Sequence, residues 1–152
     1  MDSNQSNNMD STLNLPNATE FSDQTEQLLE FSARTHAKAI MLFITFESLM
    51  GATNEKQNKL AINAISERLL STARESDIYA YLGGMGFANL SIATSEHHAS
   101  ILAEKLKNEL VEPFKLSDGS TIKLNAKIGI AEFPEQGKNY QELINKAQNT
   151  VQ

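Results

Sequence analysis

The stretch Ala39-Ile-Met-Leu-Phe-Ile-Thr-Phe46 is apolar along its length and does not alternate with polar residues. A strand with one face in water alternates, whereas one covered on both faces does not. The run therefore predicts a central strand held between two layers, and it is far short of the roughly 20 residues that cross a bilayer. The rest of the chain must supply those layers. Asn17 followed by Glu20 has capping-box spacing, and Phe21, Leu28 and Leu29 recur at helical intervals towards His36. A second helix is predicted from about Lys56 to Ala73, with Ile62, Ile65, Leu69 and Ala73 on one stripe and Asn63, Glu67 and Arg74 opposite. Ser95 is placed to cap a third helix, with Glu96 in its first turn and Ala99, Leu102, Leu106 and Leu110 as its buried stripe. Asn139 and Glu142 repeat the capping spacing before Leu143, Ile144, Ala147 and Val151.

Between the helices lie further strands. Ile78–Leu82 and Phe87–Ala93 flank Gly83-Gly84-Met85-Gly86, which predicts a hairpin with a glycine-dependent turn. The turn Ser117-Asp118-Gly119-Ser120 separates Phe114–Leu116 from Ile122–Ile130, where Ile122, Leu124, Ala126, Ile128 and Ile130 alternate with polar residues as in a strand with one buried face. The order of helix, strand, helix, hairpin, helix, small hairpin, strand, helix predicts an α+β fold with helices on a mostly antiparallel sheet.

The chain has 152 residues, the size of one domain. Residues 1–11 have almost nothing to bury and are expected to be a disordered tail, leaving 12–152 as the folded unit. With 13 basic and 19 acidic residues the net charge is −6, which disfavours non-specific DNA or RNA binding and adhesion to anionic membranes. The absence of Cys excludes disulfides, thiolate zinc sites and thiol nucleophiles and suits a reducing compartment. No basic patch followed by an apolar stretch opens the chain, so a cytoplasmic location without membrane insertion is expected.

Four segments in order resemble the GGDEF domain of diguanylate cyclases. Asp10-Ser-Thr-Leu-Asn-Leu15-Pro16-Asn17-Ala18-Thr-Glu-Phe21 is similar to the family opening D-x-L-T-G-L-P-N-R-x-x-F. Arg74-Glu-Ser-Asp77-Ile-Tyr-Ala-Tyr-Leu82-Gly83-Gly84-Met85-Gly86-Phe87 resembles R-x-S-D-x-x-x-R-x-G-G-D-E-F at identical spacing. Ile128-Gly129-Ile130-Ala131 with Phe133-Pro134 resembles S-I-G-I-A-x-x-P, and Leu143–Val151 resembles the closing L-x-x-x-A-D-x-A-L helix. The resemblance implies a nucleotidyl-cyclase palm-like fold, a mostly antiparallel central sheet flanked by helices.

The resemblance also implies where chemistry is lost. Carboxylates in the signature turn and at the end of the first strand hold divalent metal over GTP in the family, since hard cations need oxygen ligands. Here the signature acids are Met85 and Gly86, the strand aspartates are Phe43 and Thr45, and the following lysine is Ser48. The guanine-reading positions align with Gly51 and, less directly, Lys59, while the family's phosphate-gripping Lys and Arg would lie past Gln152. A chain so altered is expected to have no cyclase activity, no metal and no cofactor.

What remains is the turn Gly83, Gly84, Met85, Gly86 and Phe87 and the pair Arg74 and Asp77. In active relatives an R-x-x-D at this distance forms the inhibitory site that grips cyclic di-GMP. The chemistry fits, because Arg bonds phosphate or a guanine edge bidentately and Asp accepts from guanine N–H groups. Lys105 resembles the basic residue that completes such a site, while the family's next arginine is Tyr81. Arg74 and Asp77 also have structural reasons to exist, at a helix C-terminus and a strand start.

The remaining polar candidates read more simply. His97 and His98 point about 100° apart on a helix and suit a solvated helix start better than a metal. Glu132 and Glu135 flank Pro134 in a turn without a partner base. Met41, Met50 and Met85 suit packing, with Met85 a contact point if its turn is exposed, and Phe43 and Phe46 suit the core. Gly83–Gly86 lacks the G-K-S/T of a phosphate cradle. The expectation is a catalytically inactive cyclic di-GMP receptor or adaptor with a protein partner, and the amphipathic closing helix could support a homodimer. The alternatives are an interaction module that binds no nucleotide, and residual cyclase activity on GTP.

Overall fold

A computed structural model describes residues 15–48, 55–74 and 77–151. The expected tail at 1–11, the opening motif before Leu15, Met50, Gly51 and Gln152 lie outside the described residues. The elements run α1 (Ala18–Thr35), β1 (Ala39–Ser48), α2 (Glu55–Thr72), β2 (Ile78–Gly83), β3 (Gly86–Ile92), α3 (His98–Leu110), β4 (Phe114–Lys115), β5 (Thr121–Ile122), β6 (Leu124–Phe133) and α4 (Tyr140–Asn149). The four-stranded sheet has the order β2-β3-β1-β6, and β4 pairs with β5 in a small second sheet. Each neighbouring pair in both sheets is antiparallel.

The non-alternating run has the environment its composition demands. β1 lies between β3 and β6, and its side chains go alternately to two cores. Ile40, Leu42, Ile44 and Phe46 meet Ala61, Ile65 and Leu69 of α2 and Ala99, Leu102, Leu106 and Leu110 of α3. Ala39 and Met41 meet Phe21 and Leu29 of α1 and Leu143, Ile144 and Ala147 of α4. Each helix buries its stripe on one face of the sheet, and the two layers together remove β1 from water.

Local chemistry sets the helix boundaries. Asn17 accepts from the Glu20 N–H at 2.8 Å and Glu20 accepts from the Asn17 N–H at 3.1 Å, a complete capping box. At α4 the Asn139 side chain accepts from the Glu142 N–H, but Glu142 reaches back one residue further, to the Lys138 N–H. Ser95 does not cap α3: the helix starts at His98 after His97, which makes no capping hydrogen bond, and only the Ser95 carbonyl takes part, accepting from the His98 N–H at 3.3 Å. On α2 the buried face is Ala61, Ile65, Ser66 and Leu69, so Ile62 and Ala73 sit at its half-buried margin. The Ser66 hydroxyl tolerates burial by donating to the Ile62 carbonyl at 2.8 Å.

The run Ile122–Ile130 is divided. Ile122 pairs with Phe114 in the small sheet, while β6 runs from Leu124 to Phe133 along β1. Beyond Ile128 the alternation changes phase, with Gly129, Ala131 and Phe133 buried, and α4 comes so close that a Cβ on Gly129 would lie 1.8 Å from the Ala147 carbonyl oxygen. On the outer edge of β6 the Thr150 hydroxyl accepts from the Ile130 N–H at 2.9 Å and lies 3.1 Å from the Ile130 carbonyl.

Candidate functional site

Two places carry the chemistry singled out in the sequence. The first is the turn between β2 and β3. Gly83 (φ +100°) and Gly84 (φ +56°) occupy the left-handed region that only glycine enters at low cost. Their dihedral angles and the two-residue connection Gly84-Met85 explain the glycines. Gly86 is glycine for a different reason, since a Cβ there would lie 3.2 Å from the Cζ of Phe43. The β1–β3 register sets Thr45 opposite Gly86 and Phe43 opposite Ala88, so the ring of Phe43 lies against the strand at the turn. Phe43 is half-buried here and belongs only to the margin of the second core, whereas Phe46 is buried. Met85 is half-buried and packs on the first core, so it is less of an exposed contact point than the sequence suggested. The Tyr81 hydroxyl donates to the Gly84 carbonyl at 2.8 Å and braces the turn.

Phe43, Thr45, Met85 and Gly86 thus present a phenyl ring, a half-buried hydroxyl, a thioether and bare backbone, none of them a charged oxygen. Among the described residues no group of three or more His, Cys, Asp or Glu side chains could hold a metal ion. His97 is exposed, and the His98 ring Nδ1 lies 3.1 Å from the Thr94 hydroxyl. Glu135 is paired with Lys38 at 2.5 Å, which holds the carboxyl below its usual range and raises the ammonium above its own.

The second place is the turn from α2 into β2. Arg74 is exposed and Asp77 half-buried. The Asp77 N–H donates to the Arg74 carbonyl at 3.0 Å, and the Asp77 Oδ2 accepts from the Arg74 N–H at 3.1 Å. The two residues are therefore fixed together by the backbone of the turn, leaving the guanidinium in solvent. Lys105 is exposed on α3, and no hydrogen bond or ion pair joins it to Arg74 or Asp77 among the described residues.

Asp77 also lines an open groove of about 520 Å³ along the outer edge of β2, between α1 and α2. Its walls include Leu28 and Phe31 of α1 and Leu70 of α2, with Tyr79 beside Asp77. Sequence reasoning did not find these wall residues. Phe31 and Leu70 stand off their helices' buried stripes, which is a signal of surface function only once the two helices are known to face each other.

Comparison with known proteins agrees with this geometry. The model of the diguanylate cyclase GGDEF domain matches residues 7–152. The cyclic di-GMP phosphodiesterase NbdA of Pseudomonas aeruginosa is 30% identical over 142 residues, covering 91% of this chain and 18% of that protein. The diguanylate cyclase TpbB of the same species (strain UCBPP-PA14) is 30% identical over 142 residues, covering 91% of this chain and 33% of its own length. The chain thus spans between about a fifth and a third of these relatives. The GGDEF domain of TpbB from Pseudomonas aeruginosa has the same fold, with a TM-score of 0.79 at 29% identity over 91% of this chain and 83% of that one. The coiled coil and GGDEF domain of DgcB from Caulobacter crescentus, solved with c-di-GMP, shares the fold at a TM-score of 0.75 and 16% identity, over 91% of this chain and 75% of that one. With its palm-like antiparallel sheet, glycine turn and family match over nearly the whole length, this chain belongs to the GGDEF domain family of diguanylate cyclases.

Proposed function

We propose that this chain is a catalytically inactive GGDEF module that acts in cyclic di-GMP signalling as a receptor or adaptor, gripping the dinucleotide at Arg74 and Asp77. The observation that carries the reading is the contrast between the two places. At the signature turn the Phe43 ring lies against Gly86 where the cyclases place carboxylates, so a metal-bound triphosphate would find no counter-charge. At the α2–β2 turn an exposed guanidinium and a positioned carboxylate remain. Arg74 has the fork geometry to take a phosphate bidentately, and Asp77 brings a carboxylate that can accept from a base. Relatives named for making and for degrading cyclic di-GMP support the ligand class. Lys105, exposed on α3, is the further basic residue proposed for this site.

The test is calorimetric titration of cyclic di-GMP into the protein, with GTP as control and Arg74→Ala alongside. Micromolar or tighter binding, about −8 kcal/mol, that Arg74→Ala abolishes is the expected result. No binding to the wild-type protein would refute the receptor and leave an interaction module. Incubation with GTP and magnesium or manganese is expected to yield no cyclic di-GMP above a blank, and product formation would overturn the inactive assignment.

A further inference from the structure

We propose that the outer edge of β6 at residues 124–128 receives, as an added strand, an extended segment of a protein partner in which apolar residues alternate with acidic ones. This edge is the far side of the sheet from the β2 strand that follows Arg74 and Asp77, so its occupancy is independent of cyclic di-GMP. In an antiparallel pair the main-chain groups of successive residues point alternately towards the partner strand and away from it. Two outward positions on β6 are identified by their bonds. The Ile130 N–H and carbonyl meet the Thr150 hydroxyl at 2.9 and 3.1 Å, and those of Glu132 meet the Gln136 side chain and N–H at 2.9 and 2.8 Å. Leu124, Ala126 and Ile128 share their orientation, and no hydrogen bond satisfies their outer side among the described residues. The fold thus closes one end of the edge and leaves open a stretch close to the roughly 5–6 residues of an ordinary strand.

The side chains on the two faces of this stretch define the occupant. Leu124 and Ile128 are only 3% and 5% exposed in the first core, so the backbone that carries the open groups is held rigid. Ala126 and Ile130 sit half-buried at the margin of the same core, where a strand laid alongside gains apolar contact. On the other face stand Lys123, Asn125 and Lys127, none of them buried. Glu47 pairs with Lys127, and Lys123 has no ion pair among the described residues. The last helix meets β6 further along, at Gly129 and Ile130, and leaves this face open. Lys146 lies one helical turn before Thr150, on the side of α4 that reaches the β6 edge. Cross-strand pairing here favours carboxylates on one face of the incoming segment and apolar side chains on the other.

Charge favours such a segment over a second copy of β6. Antiparallel pairing of two copies centred on Ala126 would set Asn125 against the partner's Lys127 and gather the lysines of both chains on one face, where like charges oppose association. The chain as a whole carries a net charge of −6, so this basic face is a local exception. A helical partner is a poorer match too, because its main-chain groups are spent within the helix and cannot satisfy the edge.

The experiment follows amide hydrogen exchange of the full chain by NMR, alone and with a short capped peptide of alternating valine and glutamate, a valine–lysine peptide of equal length being the control. In the free protein Ala126 and Ile128 are expected to exchange fast and Gly129, whose N–H faces β1, slowly. The acidic peptide, and not the basic one, is expected to slow Ala126 and Ile128 about ten-fold or more. Lys123→Glu is expected to weaken the acidic peptide about ten-fold, and Ala126→Pro, which removes an outward N–H without breaking a bond to β1, to abolish its binding. Thermal unfolding of both variants is the folding control, and the exposed position of Lys123 keeps the test alive if the strand rejects proline. Slow exchange at Ala126 and Ile128 in the free protein at every concentration would show the edge already covered within the chain, and slowing that grows with protein concentration would assign it to a second copy. Equal binding of the two peptides, no binding of the acidic one, or unchanged affinity in Lys123→Glu would remove the acidic segment. Each of these results overturns the proposal.

Discussion

Gly86 and Phe43 are one feature viewed from two strands. The ring approaches the backbone so closely that even a methyl at position 86 would press on it, at 3.2 Å from Cζ and 3.3 Å from Cε1. Replacing Gly86 is therefore a packing problem before it is a chemical one, and no side chain could be introduced there without moving the ring. We expect Gly86→Ala to cost about 1 kcal/mol in urea unfolding, and the cost to shrink when Phe43 is also replaced by Ala. Additive effects of the two substitutions would show that the contact carries no energy. Two positions that look independent in the sequence are thereby linked. Two other residues have no such account: Asn89 and Ser91 are buried on β3 with no side-chain hydrogen-bond partner among the described residues, and nothing in the structure explains them.

The elements are joined by side chains that periodicity does not reveal. Arg68 projects from α2 to the end of α3, where it donates to the carbonyls of Glu109, Glu112 and Pro113 at 3.2, 2.6 and 2.7 Å. Its guanidinium also lies 3.9 Å from the centroid of the Phe114 ring. One side chain thus satisfies carbonyls left open where α3 ends and ties α2 to the small sheet. A lysine has the charge but neither the planar fork nor the stacking face. Arg68→Lys is expected to destabilise by about 1–2 kcal/mol, read as a lower urea midpoint with unchanged slope. A midpoint equal to that of the wild type would show that the clamp contributes nothing. Elsewhere Glu26 of α1 accepts from the Tyr140 N–H at 2.8 Å, and the Phe21 and Tyr140 rings meet edge to face, joining α1 to α4.

Across the whole molecule, burial controls the three tyrosines. Tyr79 is pushed up to about 12, first by desolvation, and burial also raises Tyr81 and Tyr140 above the ordinary value of 10. In the unfolded chain all three phenols lose their protons near pH 10. Because the folded protein holds these protons more tightly, the associated stability is fully present below pH 10 and is lost as the pH rises from 10 towards 12. Stability should fall steeply over that window, with phenolate absorbance lagging until the fold opens. Full tyrosine ionisation near pH 10 with circular dichroism unchanged would contradict the burial. No helix among the described residues is long and apolar enough to cross a membrane.

The sequence alone determined the order of elements, the central place of β1, the capping residue of α1 and the stripes of α3, because each depends on neighbours within a few positions along the chain. It also carried the family, since glycine turns and motif spacing are local. The tertiary structure decided how those pieces meet. It set Phe43 against Gly86 and Arg68 against the end of α3, and it brought Phe31 and Leu70 to one groove with Asp77. It also shifted the phase of burial along β6 where α4 closes on Gly129. Periodicity states which face of an element avoids water. It does not state which partner covers that face, or which side chains remain in the gap between two covered elements.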